Sequence, residues 1–229
     1  MTGTEKIVVV AGATGRTGRL IIHEALKQGY RVRALILRAG GTYDKSFLKQ
    51  PGVESVEARL ESVASLEEAM EGANYMISAI GSKKPFNRRE NDRVDNEGNQ
   101  NLVLAAKARG LKHVVVISSI GVGNSRNALM WLFRLLMGPV LKAKEKSENF
   151  IRASGIDYTI IRPGGLTDTP LTGNIAFGEG GKISGRITRE EVARVCVAAL
   201  TDPTLKNRTL EVVNATTVSA DRRRFLINP

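Results

Sequence analysis

Three glycines, Gly12, Gly15 and Gly18, head the chain in Gly12-Ala-Thr-Gly-Arg-Thr-Gly18, and their spacing suits the binding of a dinucleotide. Gly12 would let the chain turn sharply, Gly15 would let backbone N–H groups approach a pyrophosphate, and Gly18 would let a helix pack close to a sheet. Arg16 lies inside that turn and Arg38 about twenty residues beyond it, where an acidic residue would hold the ribose hydroxyls of NAD. Guanidinium groups suit a 2′-phosphate instead, so the expected cofactor is NADP(H) rather than NAD(H). A solvated charge at a strand end is the plainer reading of Arg38. Ser118 and Ser119 end an apolar run and offer hydroxyls to a bound molecule, although Ser119 could equally cap local backbone. One cysteine and two histidines, His23 and His113, make no zinc set, and no metal is expected. Cys196, in the pattern Val192, Val195, Cys196, Ala199, Leu200, reads as a small buried hydrophobe.

The elements that must position these residues alternate. Ile7 to Val10 reads as a buried parallel strand, and a helix follows with Leu20, Ile21, Ala25 and Leu26 near one face. Further strands are expected at 31–37, 53–58, 75–80, 113–117, 157–162 and 209–213. Helices are expected from Ser65, by the capping-box spacing Ser65-Leu-Glu-Glu68, to near Gly72, and from about Arg93 to Arg109 with Val94, Leu102, Ala105 and Ala106 in the core. Two more run from Lys142 to Arg152 and, behind a second capping box at Thr188-Arg-Glu-Glu191, through Leu200. Polar Lys83 to Asp92 reads as a surface loop, Gly- and Thr-rich 167–185 as a mobile loop near the substrate, and Asp221 to Arg224 as a solvated basic end. This order implies an α/β fold, a doubly wound parallel sheet flanked by helices. Ligands of such sheets bind beyond the carboxyl ends of the strands, which gathers the glycine turn, Arg38, Gly81 and Ser118-Ser119 along one edge.

At 229 residues the chain suits one domain, with 164–187 and 214–229 expected to form a small substrate lobe. Lys and Arg outnumber Asp and Glu by 34 to 23, a balance that attracts anions. The basic residues are scattered and aromatics make up only 5%, which disfavours nucleic acid as a partner. Ala128 to Met137 is the most apolar stretch; it is too short to span a bilayer. Ordinary core, a lid over an apolar pocket, and an oligomer or membrane-surface contact all remain open for it. The first strand starts almost at once, so a cytoplasmic protein, monomer or dimer, is expected.

These motifs resemble the atypical short-chain dehydrogenase/reductase superfamily, in the NAD(P)H-binding branch that includes NmrA-like proteins and biliverdin-IXβ/flavin reductases. Gly12 to Gly18 is similar to the family's phosphate loop, and Val94-Asp-Asn-Glu-Gly98 with Asn101-Leu-Val to the helix behind the cofactor. Val114-Val-Val-Ile-Ser-Ser119 resembles the strand whose last serine faces the substrate. Ser154-Gly-Ile-Asp-Tyr-Thr-Ile-Ile-Arg-Pro-Gly164 is a family string, and Pro170-Leu-Thr-Gly173 is similar to the flavin reductases' substrate loop. The resemblance implies a cofactor site of Gly12, Thr14, Gly15, Arg16, Thr17, Gly18, Arg38, Leu60, Ala79, Ile80, Gly81, Ser118, Lys144, Pro163, Gly164 and Gly165. It implies catalytic roles for Ser119 and for Lys144, which stands at the lysine position of the Tyr-x-x-x-Lys pair, although a place on a charged helix with Lys142 and Lys146 accounts for Lys144 as simply. The departures are as informative. Val140 occupies the tyrosine position, Gly164 stands where the biliverdin/flavin reductases carry a functional histidine, and Arg59-Leu60 replaces Asp-Leu beside the adenine.

Hydride transfer to an isolated carbonyl benefits from a positioned acid, worth ~10²–10⁴-fold. Flavins, quinones, conjugated tetrapyrroles and iminium ions spread the incoming charge and need mainly orientation. The expected activity is therefore an NADPH-dependent reductase of an aromatic or conjugated small molecule. A non-catalytic NADP(H)-sensing regulator and a sugar-nucleotide epimerase-like enzyme are the alternatives, the last weakened by the missing tyrosine.

Overall fold

Val8 and Val10 pack into one apolar layer while Val9 and Ala11 pack into another, so β1 (Ile7–Ala11) is buried on both faces. A run of β-branched residues suits this placement, because a central parallel strand has no solvent side. A computed structural model describes residues 6–37, 46–128 and 131–226, with backbone alone at 127, 128, 131–136, 224 and 225. From β1 the chain runs through α1 (Arg16–Lys27), β2 (Arg31–Ile36), β3 (Val53–Glu57), α2 (Val63–Ala69) and β4 (Tyr75–Ser78). It continues through α3 (Arg88–Asn91), a π-helical segment (Asp92–Gly98), α4 (Asn99–Ala108), β5 (His113–Ile117) and α5 (Trp131–Ala153). The remainder is β6 (Tyr158–Pro163), β7 (Gly165–Thr167), β8 (Ile175–Gly178), β9 (Arg186–Thr188), α6 (Arg189–Ala198) and β10 (Arg208–Asn214).

The main sheet has the order β3-β2-β1-β4-β5-β6-β10-β8, parallel throughout except that β8 runs antiparallel to β10. The strand order reverses direction between β1 and β4, which opens a crevice at their carboxyl ends. On one face α1 packs against α6; on the other lie α2, α4 and α5. Ile21, Ile22 and Ala25 of α1 are fully buried against β1, and each isoleucine contributes about 1.5–3 kcal/mol. Tyr30 and Tyr75 meet edge to face beneath that layer, with ring centroids 6.1 Å apart.

The doubly wound sheet expected from the sequence is present, and several boundaries differ from expectation. The first capping box is not at Ser65: Ser62 caps α2 by accepting from the Ser65 amide, and the Ser65 hydroxyl accepts from Arg59 N–H instead. The polar stretch after β4 ends in α3, begun by the Asn87 side chain, so this helix starts five residues before Arg93. Pro139 does not divide α5, which runs unbroken to Ala153, and the segment read as a loop contributes β8 to the main sheet. The second capping box is as expected, with Thr188 and Glu191 bonding reciprocally. Cys196 is buried, and burial pushes its thiol above the usual range. Among the described residues no helix is long and apolar enough to cross a membrane. The side chains of the apolar stretch up to residue 136 lie outside the described ones.

His113 sits at the start of β5 with its Nε2 2.9 Å from the Thr159 hydroxyl, which donates in turn to the Leu205 carbonyl. Burial holds its imidazole down at about 4, Asp157 opposing and Lys206 adding to the shift. The folded chain therefore favours neutral His113. Its contribution is complete above the unfolded value of ~6.5 and is lost as pH falls toward 4, a swing of about 3 kcal/mol at most. Thermal melts should show His113→Gln flattening the loss of stability between pH 6.5 and 4; an unchanged slope would contradict this.

Candidate active site

The carboxyl ends of β1, β4, β5 and β6 lead into the glycine turn, Ala79–Gly81, Ser118-Ser119 and Pro163–Gly165. Gly12 follows β1 with φ +82°, a left-handed turn that favours glycine, and a Cβ there would stand 2.6 Å from the Ala79 carbonyl oxygen. A Cβ on Gly18 would lie 2.1 Å from the Gly12 oxygen, so the first turn of α1 is pressed onto the glycine loop. Gly15 is the N-cap residue and supplies no side-chain cap, and α1 has no acidic residue in its first turn. The Gly15 amide itself donates to the Gly12 carbonyl at 2.9 Å. The donors left for phosphate are thus the first-turn amides from Arg16 on, flanked by the half-buried Thr14 and Thr17. A turn this close has no room for side chains at Gly12 and Gly18.

Arg16 is exposed and reaches Asp168 beyond β7, with Nη1 2.8 Å from Oδ2; Arg189 holds the other oxygen at 2.7 Å. That bridge draws the segment after β7 over the glycine turn, although an ion pair so exposed contributes ~1 kcal/mol or less. Arg38 lies outside the described residues. Leu60 is buried beneath Gly98, where a Cβ would stand 2.7 Å from its Cδ2, and its carbonyl accepts from Asn101 Nδ2 at 3.0 Å. Ala79 and Ile80 form the wall against Gly12, and Gly81 leads into Ser82.

Lys144 is held. Its Nζ lies 2.8 Å from Oδ1 of Asp95, a fully buried carboxylate whose Oδ2 accepts from the Ser82 amide at 3.1 Å. Asp95 belongs to the π-helical segment, and such widened turns recur at functional sites because they re-aim a side chain. Asn99 Nδ2 donates to the Asp95 carbonyl at 3.1 Å, and the Ser78 hydroxyl to Asn99 Oδ1 at 2.6 Å. The end of β4, the π segment and α5 are thereby fastened to one another.

Four residues further along α5, Glu148 accepts the Ser118 hydroxyl at 2.6 Å. Arg162 of β6 grips the same carboxylate with two nitrogens, Nε at 3.0 Å and Nη2 at 2.7 Å. Its Nη1 reaches Asn124 at 2.5 Å and Glu211 of β10 at 3.4 Å. Burial pushes the Glu211 carboxyl above its usual range, opposed by the Gly181 amide and by Arg162. Ser118 therefore has its proton committed to Glu148. Ser119 donates to the Ile120 carbonyl at 2.9 Å, the local cap that its sequence position allowed.

Pro163, Gly164 and Gly165 end β6, and Gly164 is sealed. A Cβ there would lie 2.3 Å from the Gly185 carbonyl oxygen and 2.9 Å from the Val213 side chain. The glycine in the histidine's place thus reflects a close approach of the 185 turn, not an empty seat. The segment at Pro170–Gly173, expected to be mobile, is tied to the start of α6: the amides of Thr172 and Gly173 and the Thr172 hydroxyl all donate to Glu191 Oε1, at 3.0, 3.1 and 2.6 Å. Although burial raises the Glu191 carboxyl, these donors and Thr188 bring it below the usual range.

Asp95, Glu148, Arg162 and Glu211 escaped the sequence reading as site-forming residues. A signal existed for two of them: Arg162 and Glu211 interrupt apolar strands, Thr159-Ile-Ile-Arg-Pro163 and Leu210-Glu-Val-Val213, where a charge must find a buried partner.

Comparison with known proteins places the chain in a family. The family described as NAD(P)H-binding matches residues 12–203. A chloroplastic protein of Arabidopsis thaliana is 36% identical over 215 residues, covering 91% of this chain and 76% of its own, so the cytoplasmic expectation has no counterpart in that relative. YhfK of Bacillus subtilis, named as a sugar epimerase, is 29% identical and covers 96% of this chain and 99% of its own. Among solved structures, ChuY of Escherichia coli O157:H7, an anaerobilin reductase, superposes with a TM-score of 0.78 at 22% identity, over 91% of this chain and 97% of its own. That likeness shows a shared fold.

Replacing Arg162 by Met leaves Glu211 buried without its cation and Glu148 with Arg152 alone, 3.1 Å away, and loss of one partner from such a cluster costs about 3–5 kcal/mol. Urea unfolding should show a loss of that size for Arg162→Met, whereas a change under 1 kcal/mol would contradict the reading of this cluster.

Proposed function

Because this chain belongs to the NAD(P)H-binding family, we propose that it is an NADPH-dependent reductase that delivers hydride to a conjugated acceptor of flavin, quinone, tetrapyrrole or iminium type. The observation that carries the reading is that the hydroxyl protons of Ser118 and Ser119 are committed, to Glu148 and to the Ile120 carbonyl, while Gly164 has no room for a side chain and Lys144 is paired with Asp95. Reduction of an isolated carbonyl develops an alkoxide that needs a positioned donor. A delocalised acceptor needs instead to be held face to face with the nicotinamide, where orientation supplies much of the rate.

The nucleotide, when bound, supplies the hydride. The first-turn amides of α1 bind its pyrophosphate, Leu60 and the Ala79–Gly81 wall flank it, and the Lys144 ammonium, aimed by Asp95, holds the ribose or adds positive charge near the ring. Ser119 orients the acceptor by accepting a hydrogen bond, or by exchanging the Ile120 carbonyl for it. Preference for the phosphorylated nucleotide rests on Arg16 and Arg38. Arg59, exposed just after β3 beside the carboxyl end of β2, adds a third cation at the adenosine end.

The committed protons also favour a second reading, a non-catalytic protein that senses NADP(H). An epimerase-like activity, the name carried by YhfK, has less support, since that chemistry leans on the tyrosine replaced here by Val140. NADPH oxidation across FMN, menadione and a panel of conjugated acceptors separates the readings. Turnover with any of them supports the reductase; tight NADPH binding without turnover overturns it in favour of the sensor. Arg16→Ala should weaken NADPH binding about tenfold, the worth of one charge-assisted hydrogen bond, and leave NADH unchanged; equal loss for both nucleotides would contradict a role at the 2′-phosphate.

A further inference from the structure

A cavity of about 970 Å³ lies between α3, the middle turns of α5 and the 3₁₀ turn that follows β5. Its charged lining is Arg88, Arg89, Asp92, Arg126, Lys142 and Lys146, five cations against one carboxylate. Two of the cations are already paired, Lys146 with Asp92 at 2.9 Å and Arg126 with Glu145 at 3.1 Å. Arg88, Arg89 and Lys142 make no ion pair or side-chain hydrogen bond among the described residues.

Two features of this arrangement work against the stability of the empty protein. Arg88 and Arg89 occupy the first turn of α3, where the positive end of the helix dipole disfavours cations. Lys142 and Lys146 stand four residues apart on one face of α5, where like charges repel. Both costs are removed by a single anion lying between the two helices. Guanidinium forks from adjacent arginines match the oxygens of a phosphate, and the volume suits a molecule of nucleotide size.

Lys144 is two residues from both Lys142 and Lys146, about 200° round the helix, so it points to the opposite side of α5. The basic cavity and the pinned lysine therefore share one helix and face different spaces. We propose that this cavity is a second ligand site, distinct from the dinucleotide turn, that takes a small organic molecule carrying more than one phosphate group. The proposal is independent of what the nucleotide site reduces.

Calorimetry on the full chain, titrated with inorganic tripolyphosphate after saturation with NADP⁺, tests it directly. The expected result is binding that persists with the dinucleotide turn filled and weakens as NaCl is raised. Arg88→Ser/Arg89→Ser/Lys142→Ser should lose at least tenfold in tripolyphosphate affinity, keep its NADP⁺ affinity and melt no lower than the parent. Lys142→Glu alone should lose affinity in the same direction. No heat with NADP⁺ present, undiminished binding in the triple variant, or an equal loss when the remote cations Lys27, Arg109 and Lys112 are replaced instead would each overturn the proposal. Failure of NADP⁺ itself to bind would count against the reductase reading; the cavity would then be titrated in the free protein, with the same outcomes deciding.

Discussion

The steric contact between Gly18 and the Gly12 carbonyl fixes the geometry of the whole crevice. With 2.1 Å separating that oxygen from the position of any Cβ on Gly18, the first turn of α1 can approach the end of β1 only because residue 18 is glycine. The same turn presses on the Ala79 carbonyl, so β1 and β4, the strands on either side of the switch point, are locked at their carboxyl ends. Amides that a longer loop would scatter are thereby aimed at one place.

Charge plays a different part behind the crevice. Asp95 with Lys144, and Glu148 with Arg162 and Glu211, are buried ion clusters, and such clusters seldom stabilise a fold more than apolar residues of equal size would. What they provide is constraint. Arg162 joins β6 to α5, to β10 and to the turn carrying Asn124, while Gly181 fastens the turn after β8 to the same cluster. Asp95 joins α5 to the end of β4. The end of β4, α5, β6 and β10 are thus tied to one another through buried carboxylates.

Much of this was legible in the sequence where a local rule decides the outcome. The glycine turn, the alternating layers and the Thr188–Glu191 capping box each depend on residues close together in the chain. The failures share a cause as well. Ser62 outcompetes Ser65 as the cap of α2 because Ser65 turns back to the Arg59 amide, a tertiary choice. β8 forms because β10 offers an open edge, and nothing in the Gly- and Thr-rich stretch announces a partner more than thirty residues away. Asp95 read as part of a helix packed behind the cofactor; its π turn, which aims the carboxylate at Lys144, leaves no pattern in composition or periodicity.

The place of Gly164 shows why an absent side chain can be as informative as a present one. Read from sequence, a glycine in the histidine's position leaves a gap that water or a substrate group could fill. In the fold, the Gly185 carbonyl occupies that gap, and Thr217 closes in behind it, with its Oγ1 2.3 Å from where a Gly185 Cβ would be. The two glycines let β7 and β9 pair as a short parallel ribbon, with Gly165 donating to the Gly185 carbonyl at 2.9 Å. Restoring a histidine at 164 would thus require the ribbon to part before any proton could be delivered. A glycine at 164 and closure of that wall by the 185 turn are one structural fact.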